Sequence, residues 1–127
     1  MKLKKGDCFP KVDFYKLKDG SPEKVSSADL FNKKKVILVG VPGAFTPTCS
    51  NEHLPGYIKN FDTFKSKGID EVYFVSVNDP FVMQKWGDSV GENNLKFIAD
   101  SDGEFMKLSE LMVDLSAAGL GNRLSRF

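Results

Sequence analysis

A cysteine follows an apolar run and a turn in the first half of the chain. Residues 36–41 read V-I-L-V-G-V, Pro42 and Gly43 supply a turn, and Thr46 stands three residues before Cys49. A cysteine is a nucleophile as its thiolate, and an ordinary thiol with a pKa of about 8.5 is only slightly ionised at neutral pH. Free N–H groups at a helix start, the Thr46 hydroxyl and a nearby cation would each favour the thiolate. The arrangement predicts a reactive thiol at Cys49, with an inert buried cysteine as the alternative.

This segment and three others resemble one family. Pro42, Thr46 and Cys49 match the P-x-x-x-[T/S]-x-x-C motif of peroxiredoxins, and the string PGAFTPTCSNEHLPGY (42–57) is similar to their type-5 branch. Three further segments also resemble this branch: VSVNDPFVMQKW (75–86), FIADSDGEF (97–105) and GLGNRLSRF (119–127). The resemblance extends from G-D-x-x-P, which begins at Gly6, to the last residue.

The resemblance implies a fold as well as a chemistry. The expected fold is α/β and thioredoxin-like, a central β-sheet with flanking helices, in a single domain of residues 1–127. Family members usually continue past the position of Phe127, so we expect the usual C-terminal strands and helix to be lacking. An end at Phe127 would leave the preceding Arg126 on a weakly anchored segment, beside a terminal carboxylate that competes for its charge.

The activity that the resemblance implies is thiol-dependent reduction of hydrogen peroxide and small alkyl hydroperoxides. The Cys49 thiolate would attack the O–O bond, become a sulfenic acid and release water or an alcohol. Thr46 would hold the peroxide or the thiolate in line, Pro42 would shield the sulfur from water, and Gly43 would let its backbone N–H approach a peroxide oxygen. An ordinary turn threonine and a plain turn proline are the alternatives for Thr46 and Pro42. The alternative is a catalytically weak thioredoxin-fold protein that senses peroxide or acts like a chaperone.

A permanent cation is needed to polarise the leaving oxygen. In the resembled family a distant arginine has this role, and the matching position is Arg126, because R-F closes G-N-R-L-S-R-F as in the family pattern. Arg123 is the rival. His53 follows Cys49 by four residues and would share its helix face, either as a peroxide contact or as an oriented structural residue.

The second cysteine, Cys8, lies before the first predicted strand and is a weak candidate for a resolving cysteine. The family's better-known resolving positions lie elsewhere, so we favour a one-cysteine mechanism with external recycling by glutathione and glutaredoxin, or by thioredoxin. The single histidine cannot form a metal site, and we expect no metal and no cofactor.

The composition is that of an ordinary globular domain. The chain has 127 residues, 41% hydrophobic and 28% charged, and a formal net charge of +1. Such a charge does not indicate nucleic-acid or membrane binding, and no apolar run approaches the length of a membrane span. The basic start lacks the apolar segment of a signal peptide, so we expect a cytoplasmic protein. By resemblance we also expect a homodimer, with Phe45 and Phe81 as either core or contact residues.

Local patterns predict the elements that position Cys49. A hairpin turning at Asp19-Gly20 is followed by a short helix that starts at Ser26. Buried strands are expected over 36–41, which we take to be central, and over 72–77 and 95–99. Helices are expected from about Cys49, with a kink caused by Pro55, and after Asn78-Asp79-Pro80 and Gly103. The helix after Pro80 bears Phe81, Val82, Trp86 and Val90. The predicted inner face of the helix after Gly103 consists of Phe105, Leu108, Leu111 and Met112.

Overall fold

The structure is a computed structural model that describes residues 3–46, 54–90 and 94–127. In these ranges the strands are β1 (Asp13–Lys18), β2 (Ser21–Ser26), β3 (Val36–Gly40), β4 (Glu71–Ser76), β5 (Lys96–Ala99), β6 (Met112–Asp114) and β7 (Asn122–Leu124). The helices are α1 (Ser27–Leu30), α2 (Leu54–Lys59), α3 (Phe61–Ser66), α4 (Pro80–Ser89) and α5 (Glu104–Ser109), with a 3₁₀ turn at Ser116–Ala118. Strands therefore alternate with helices, and the predicted α/β class is confirmed.

Five strands form one mixed sheet in the order β2-β1-β5-β4-β3. The strands β3, β4 and β5 are parallel, whereas β1 is antiparallel to both β2 and β5. A separate antiparallel pair joins β6 to β7. Within the described residues β3 is the last strand of this order, and its outer edge is hydrogen-bonded by Phe127 at Gly40, so the prediction that 36–41 forms a central strand holds only in part. Its apolar sequence reflects covered faces, and covered faces do not require a neighbour on both edges.

The side chains of β4 alternate between two cores, one on each face of the sheet. Val72 and Phe74 pack with Leu54 of α2 and Trp86 of α4, which defines the α2/α4 face. Tyr73 and Val75 pack in the second cluster, which also holds Ile98, Phe105 and Leu124 and defines the α5 face. Strands buried on both faces fit the continuous apolar runs of the sequence.

Turn and cap signals are confirmed where the structure describes them. The β1–β2 turn has Asp19 and Gly20 at φ +52° and +81°, as a tight hairpin requires. The Ser26 hydroxyl accepts a hydrogen bond from Asp29 N at the start of α1. At the start of α4, the Asp79 carboxylate accepts one from Val82 N, with Pro80 in the first turn.

The predicted inner face of α5 is partly wrong, and only some of the apolar residues of α4 are buried. Trp86 and Phe105 are buried, but Phe81, Leu108 and Met112 are 51%, 53% and 48% exposed. The buried residues of α4 also include Pro80, Met83 and Gly87, and those of α5 also include Met106 and Ser109. The chain leaves α5 through Glu110 at φ +57°, so the helical spacing that placed the later residues inward no longer applies.

The start of the helix after Cys49, and the effect of Pro55 on it, fall in part on residues 47–53, which lie outside the described residues. The described part of this segment continues from α2 into α3 through Asn60. Within 3–46, 54–90 and 94–127, none of the helices has the length and apolarity needed to cross a bilayer.

Candidate active site

The loop of residues 42–46, called here the motif loop, follows β3 at the carboxyl end of the parallel strands. Val41, the residue before it, is fully buried and donates its N–H to Val75 O at 3.1 Å. The motif loop thus begins from a fixed point beside the end of β4. Such edges are where open α/β sheets commonly bind ligands.

Thr46 folds back onto the motif loop. Its hydroxyl donates to Gly43 O at 2.8 Å. A hydroxyl has one proton to donate and two lone pairs with which to accept. The Thr46 oxygen, with its proton committed, is therefore available only as an acceptor to a group that approaches it.

Gly43 lies at the point where three side chains converge. An ideal Cβ at Gly43 would lie 3.1 Å from Arg123 Nη1, 3.3 Å from Thr46 Cγ2 and 3.6 Å from Asn78 Oδ1. The first two distances are tighter than ordinary van der Waals contact. Glycine at this position allows the close approach of the backbone to all three neighbours.

Two distant residues hold the backbone of the motif loop. Arg123 Nη1 donates to Pro42 O at 3.2 Å, and Arg123 Nε donates to Leu120 O at 2.8 Å. From the end of β4, Asn78 Oδ1 accepts a hydrogen bond from Ala44 N at 2.9 Å. The sequence indicates Arg123 only as a rival cation and Asn78 only as part of a helix-start pattern, and neither loop contact is visible in it.

Phe45, in the middle of the motif loop, has an unusual conformation. It is 53% exposed and has a φ of +63°, which falls in the left-handed region that side chains with a Cβ rarely adopt. Phe81 at the start of α4 is also exposed. Large apolar side chains are therefore presented to solvent by the motif loop and by α4.

The last residue of the chain is attached to β3. Phe127 exchanges both backbone hydrogen bonds with Gly40, each at 3.2 Å, and its ring packs 6.1 Å from the ring of Phe105, between centroids. An ideal Cβ on Gly40 would lie 2.5 Å from Phe127 Cζ and closer still to two other ring atoms. The expectation that Arg126 lies on a weakly anchored segment is therefore wrong.

The ring of Phe127 lies beside Phe105, which packs in the cluster on the α5 face. The preceding residue, Arg126, is exposed. The opposite face of the sheet is the α2/α4 face. On that face Leu54 begins α2 directly after residues 47–53 and packs in the same cluster as Val41.

Cys49 and His53 lie outside the described residues. Pro42, Gly43 and Thr46 are together in the motif loop, and Cys8 is a free, exposed cysteine in the segment before β1. In the parts of the chain that the structure describes, no three His, Cys, Asp or Glu side chains converge as metal ligands.

A buried carboxyl lies at the same edge of the sheet, at the end of β5. Asp100 is fully buried and accepts hydrogen bonds from Phe105 N at 3.0 Å and Met106 N at 2.9 Å, while its own N–H donates to Ser76 O. Burial raises the pKa of Asp100, with smaller raising contributions from the charges of Glu104 and Asp102, and the two backbone hydrogen bonds oppose the rise. Asp100 thus ties the start of α5 to the ends of β4 and β5.

Comparison with known proteins adds three kinds of finding. Residues 4–127 match the family model described as Redoxin. Peroxiredoxin-2C of Oryza sativa subsp. japonica is 53% identical over 106 residues, which are 83% of this chain and 65% of the rice protein. This chain therefore spans slightly less than two thirds of the rice protein's length.

Solved structures match along nearly the whole chain. Reduced Prx3 from Vibrio vulnificus, solved in complex with H₂O₂, has a TM-score of 0.92 at 40% identity, covering 98% of this chain and 78% of that one. The Plasmodium falciparum antioxidant protein, described as a 1-Cys peroxiredoxin, has a TM-score of 0.92 at 33% identity, covering 98% and 76%. These matches confirm the predicted thioredoxin-like fold.

Proposed function

Because this chain belongs to the Redoxin family, and within it to the peroxiredoxins, we propose that it reduces peroxides at Cys49 with electrons from thiols. The observation that carries this proposal is the hydrogen bond from the Thr46 hydroxyl to Gly43 O. It leaves an acceptor oxygen three residues before the cysteine, at the carboxyl edge of the sheet. A neutral peroxide O–H needs such an acceptor to be oriented.

The proposed substrate is hydrogen peroxide or a small alkyl hydroperoxide. Support comes from the Vibrio vulnificus relative, whose structure contains H₂O₂. A small, uncharged molecule with one or two O–H donors suits a site made of hydroxyl and backbone groups. The net charge of +1 gives no long-range field selecting a strongly charged substrate.

The proposed reaction uses one thiolate. The Cys49 sulfur attacks one peroxide oxygen, the S–O bond forms as the O–O bond breaks, and the leaving oxygen takes a proton to become water or an alcohol. Thr46 accepts a hydrogen bond from the peroxide, Gly43 offers its backbone N–H, and Pro42 shields the sulfur. Arg126 is the proposed cation that stabilises the thiolate and the leaving oxygen, and His53 is a further peroxide contact.

Recycling completes the proposed cycle. One external thiol condenses with the sulfenic acid, releasing water, and a second thiol reduces the mixed disulfide to restore Cys49. The proposed donors are glutathione with glutaredoxin, or thioredoxin, in a cytoplasm that keeps them reduced. A one-cysteine mechanism is supported by the Plasmodium falciparum relative, which is described as 1-Cys, and leaves Cys8 without a required role.

Steady-state turnover tests this proposal. Hydrogen peroxide consumption is followed with each donor system for the unaltered chain, Cys49→Ser and Cys8→Ser. We expect turnover with at least one donor, abolition by the change at Cys49, and near-normal rates after the change at Cys8. Oxidation that stops after one equivalent per chain, whatever donor is supplied, contradicts the peroxidase and favours a peroxide sensor.

We also propose a homodimer that buries the exposed rings of Phe45 and Phe81. These two side chains are 53% and 51% exposed, and large apolar side chains at an open surface favour association. Sedimentation velocity of Phe81→Asp and of the unaltered chain tests the contact. A dimer that persists after this change contradicts the proposed interface, and a monomeric unaltered chain contradicts the homodimer.

A further inference from the structure

Three successive residues of the motif loop are each held by a side chain. Arg123 donates to Pro42 O, the Thr46 hydroxyl donates to Gly43 O, and Asn78 accepts from Ala44 N. Gly43 O and Ala44 N belong to the same peptide group. Asn78 and Thr46 therefore hold opposite sides of a single peptide plane.

The planarity of the peptide bond makes these two contacts interdependent. In a trans peptide the C=O and N–H are fixed in one plane and point in opposite directions, and the described residues contain no cis peptide. The direction of Gly43 O is thus determined by the direction in which Ala44 N–H points. Rotation of this peptide would remove the acceptor to which the Thr46 proton is committed.

Asn78 is itself held in place by a buried hydroxyl. Ser76 is fully buried and donates from Oγ to Asn78 Oδ1 at 2.6 Å, while Asn78 N donates back to Ser76 Oγ at 3.2 Å. The sulfur of Met83 also lies 3.1 Å from Ser76 Oγ, but a thioether sulfur accepts the Ser76 proton more weakly than the Asn78 oxygen does. The N–H of Ala44 can only donate, so the side-chain atom facing it is the carboxamide oxygen.

We propose that Asn78 is a positioning residue of the peroxide site, which acts through the Gly43–Ala44 peptide to keep the Thr46 hydroxyl an acceptor. Asn78 contacts neither the thiol nor the peroxide in this assignment. Without its oxygen the peptide can rotate, the Thr46 proton is released from Gly43, and the hydroxyl no longer presents only lone pairs to the substrate. The inference rests on the proposed function of Cys49 and Thr46.

Stopped-flow oxidation by hydrogen peroxide and alkylation by iodoacetamide, both at a pH above the Cys49 pKa, test the assignment. Alkylation needs the thiolate but does not need an oriented peroxide. Asn78→Ala is expected to slow peroxide oxidation by about 10- to 100-fold, which is the loss expected when a substrate is held about 1 Å from its reactive position. The rate of alkylation is expected to change by less than about 2-fold. Asn78→Asp keeps the acceptor oxygen and is expected to restore most of the peroxide rate. Asn32→Ala, an exposed asparagine before β3, is the matched control.

Epistasis with Thr46 separates positioning from general disturbance of the fold. In a Thr46→Val chain the hydroxyl is gone, so adding Asn78→Ala is expected to slow peroxide oxidation by less than about 2-fold further. A full additional loss in that background overturns the inference, and so does an Asn78→Ala chain that reacts with peroxide at the normal rate. Equal slowing of alkylation and peroxide oxidation also overturns it.

Ser76→Ala replaces Asn78→Ala if the latter does not fold. It releases the carboxamide from its buried hydroxyl, and a slower peroxide reaction with unchanged alkylation is expected, whereas an unchanged peroxide reaction overturns the inference. An unaltered chain that does not react with peroxide overturns the proposed function itself, and the assignment of Asn78 with it. If the unaltered chain reacts with peroxide and Asn78→Ala reacts at the same rate, the role of Asn78 is overturned and the proposed function stands.

Discussion

Replacing Gly40 by alanine is expected to displace Phe127 from β3. The new Cβ would lie 2.5 Å from Phe127 Cζ, and atoms of this kind do not approach within about 3 Å, so the ring must move. The ring is 36% exposed, which leaves about 1–2 kcal/mol of apolar burial at risk. The two backbone hydrogen bonds to Gly40 add about 1–3 kcal/mol.

The conformational entropy regained by the released chain end offsets about 1–2 kcal/mol of that sum. We therefore expect Gly40→Ala to lower the free energy of unfolding by about 1–3 kcal/mol, or the melting temperature by about 4–12 °C. Urea denaturation and calorimetry measure the two quantities. Gly56→Ala in α2, where an added Cβ meets nothing within 4 Å, is the control and is expected to stabilise slightly.

A double-mutant cycle provides the decisive comparison. In a Phe127→Ala chain the ring that the new Cβ would meet is absent, so adding Gly40→Ala is expected to cost less than about 0.5 kcal/mol. The difference between the two backgrounds measures the coupling of Gly40 to the ring. Equal costs in both backgrounds would refute the reasoning.

Three further predictions concern the charge, the buried carboxyl and the loop. Arg126→Gln is expected to raise the Cys49 pKa by about one unit, near 1.4 kcal/mol. Arg123→Gln is expected to leave the Cys49 pKa closer to that of the unaltered chain but to slow peroxide oxidation. Thiolate absorbance against pH checks this, and equal Cys49 pKa values in the two variants contradict it. Because burial raises the pKa of Asp100, the folded chain binds this proton more tightly than the unfolded chain. The associated stability is fully present below about pH 3.9 and is lost as the pH rises through the higher folded pKa. In Asp100→Asn that component should vanish from the pH dependence of urea unfolding, although the amide also mismatches one backbone N–H, and an unchanged profile contradicts the prediction. Phe45→Gly and Phe45→Ala both remove the ring, but only glycine adopts φ +63° without strain, so the glycine variant is expected to be more stable than the alanine variant by about 1 kcal/mol in urea; equal stabilities contradict it.

The sequence predicts the elements of this fold better than their arrangement. Caps such as Asp79, the Asp19-Gly20 turn and the apolar strands depend on neighbouring residues, so they are visible locally. The place of β3 in the strand order is not visible in the local sequence, because an apolar strand sequence is compatible with either an edge or a central position. The exposed side of α5 was missed because the helix ends at Ser109, before the spacing reaches Met112.

The candidate site shows the same division. Pro42, Gly43 and Thr46 belong to one contiguous motif and could be predicted together. The contacts of Asn78 and Arg123 with the motif loop join residues 34 and 81 positions apart, which no local pattern reveals. One signal was present: with Pro80 in the first helical turn, Asp79 is the N-cap, and the carboxamide of Asn78 is left for another partner.

The central claim is that Cys49 is oxidised by peroxide to a sulfenic acid, and rapid-mixing mass spectrometry tests it most directly. Reduced chain, Cys8→Ser and Cys49→Ser are each mixed with micromolar hydrogen peroxide and weighed within seconds. We predict a gain of about 16 Da, one oxygen atom, in the first two proteins and no change in the third. An unaltered chain that gains no mass, or a gain that persists in Cys49→Ser, would contradict the account.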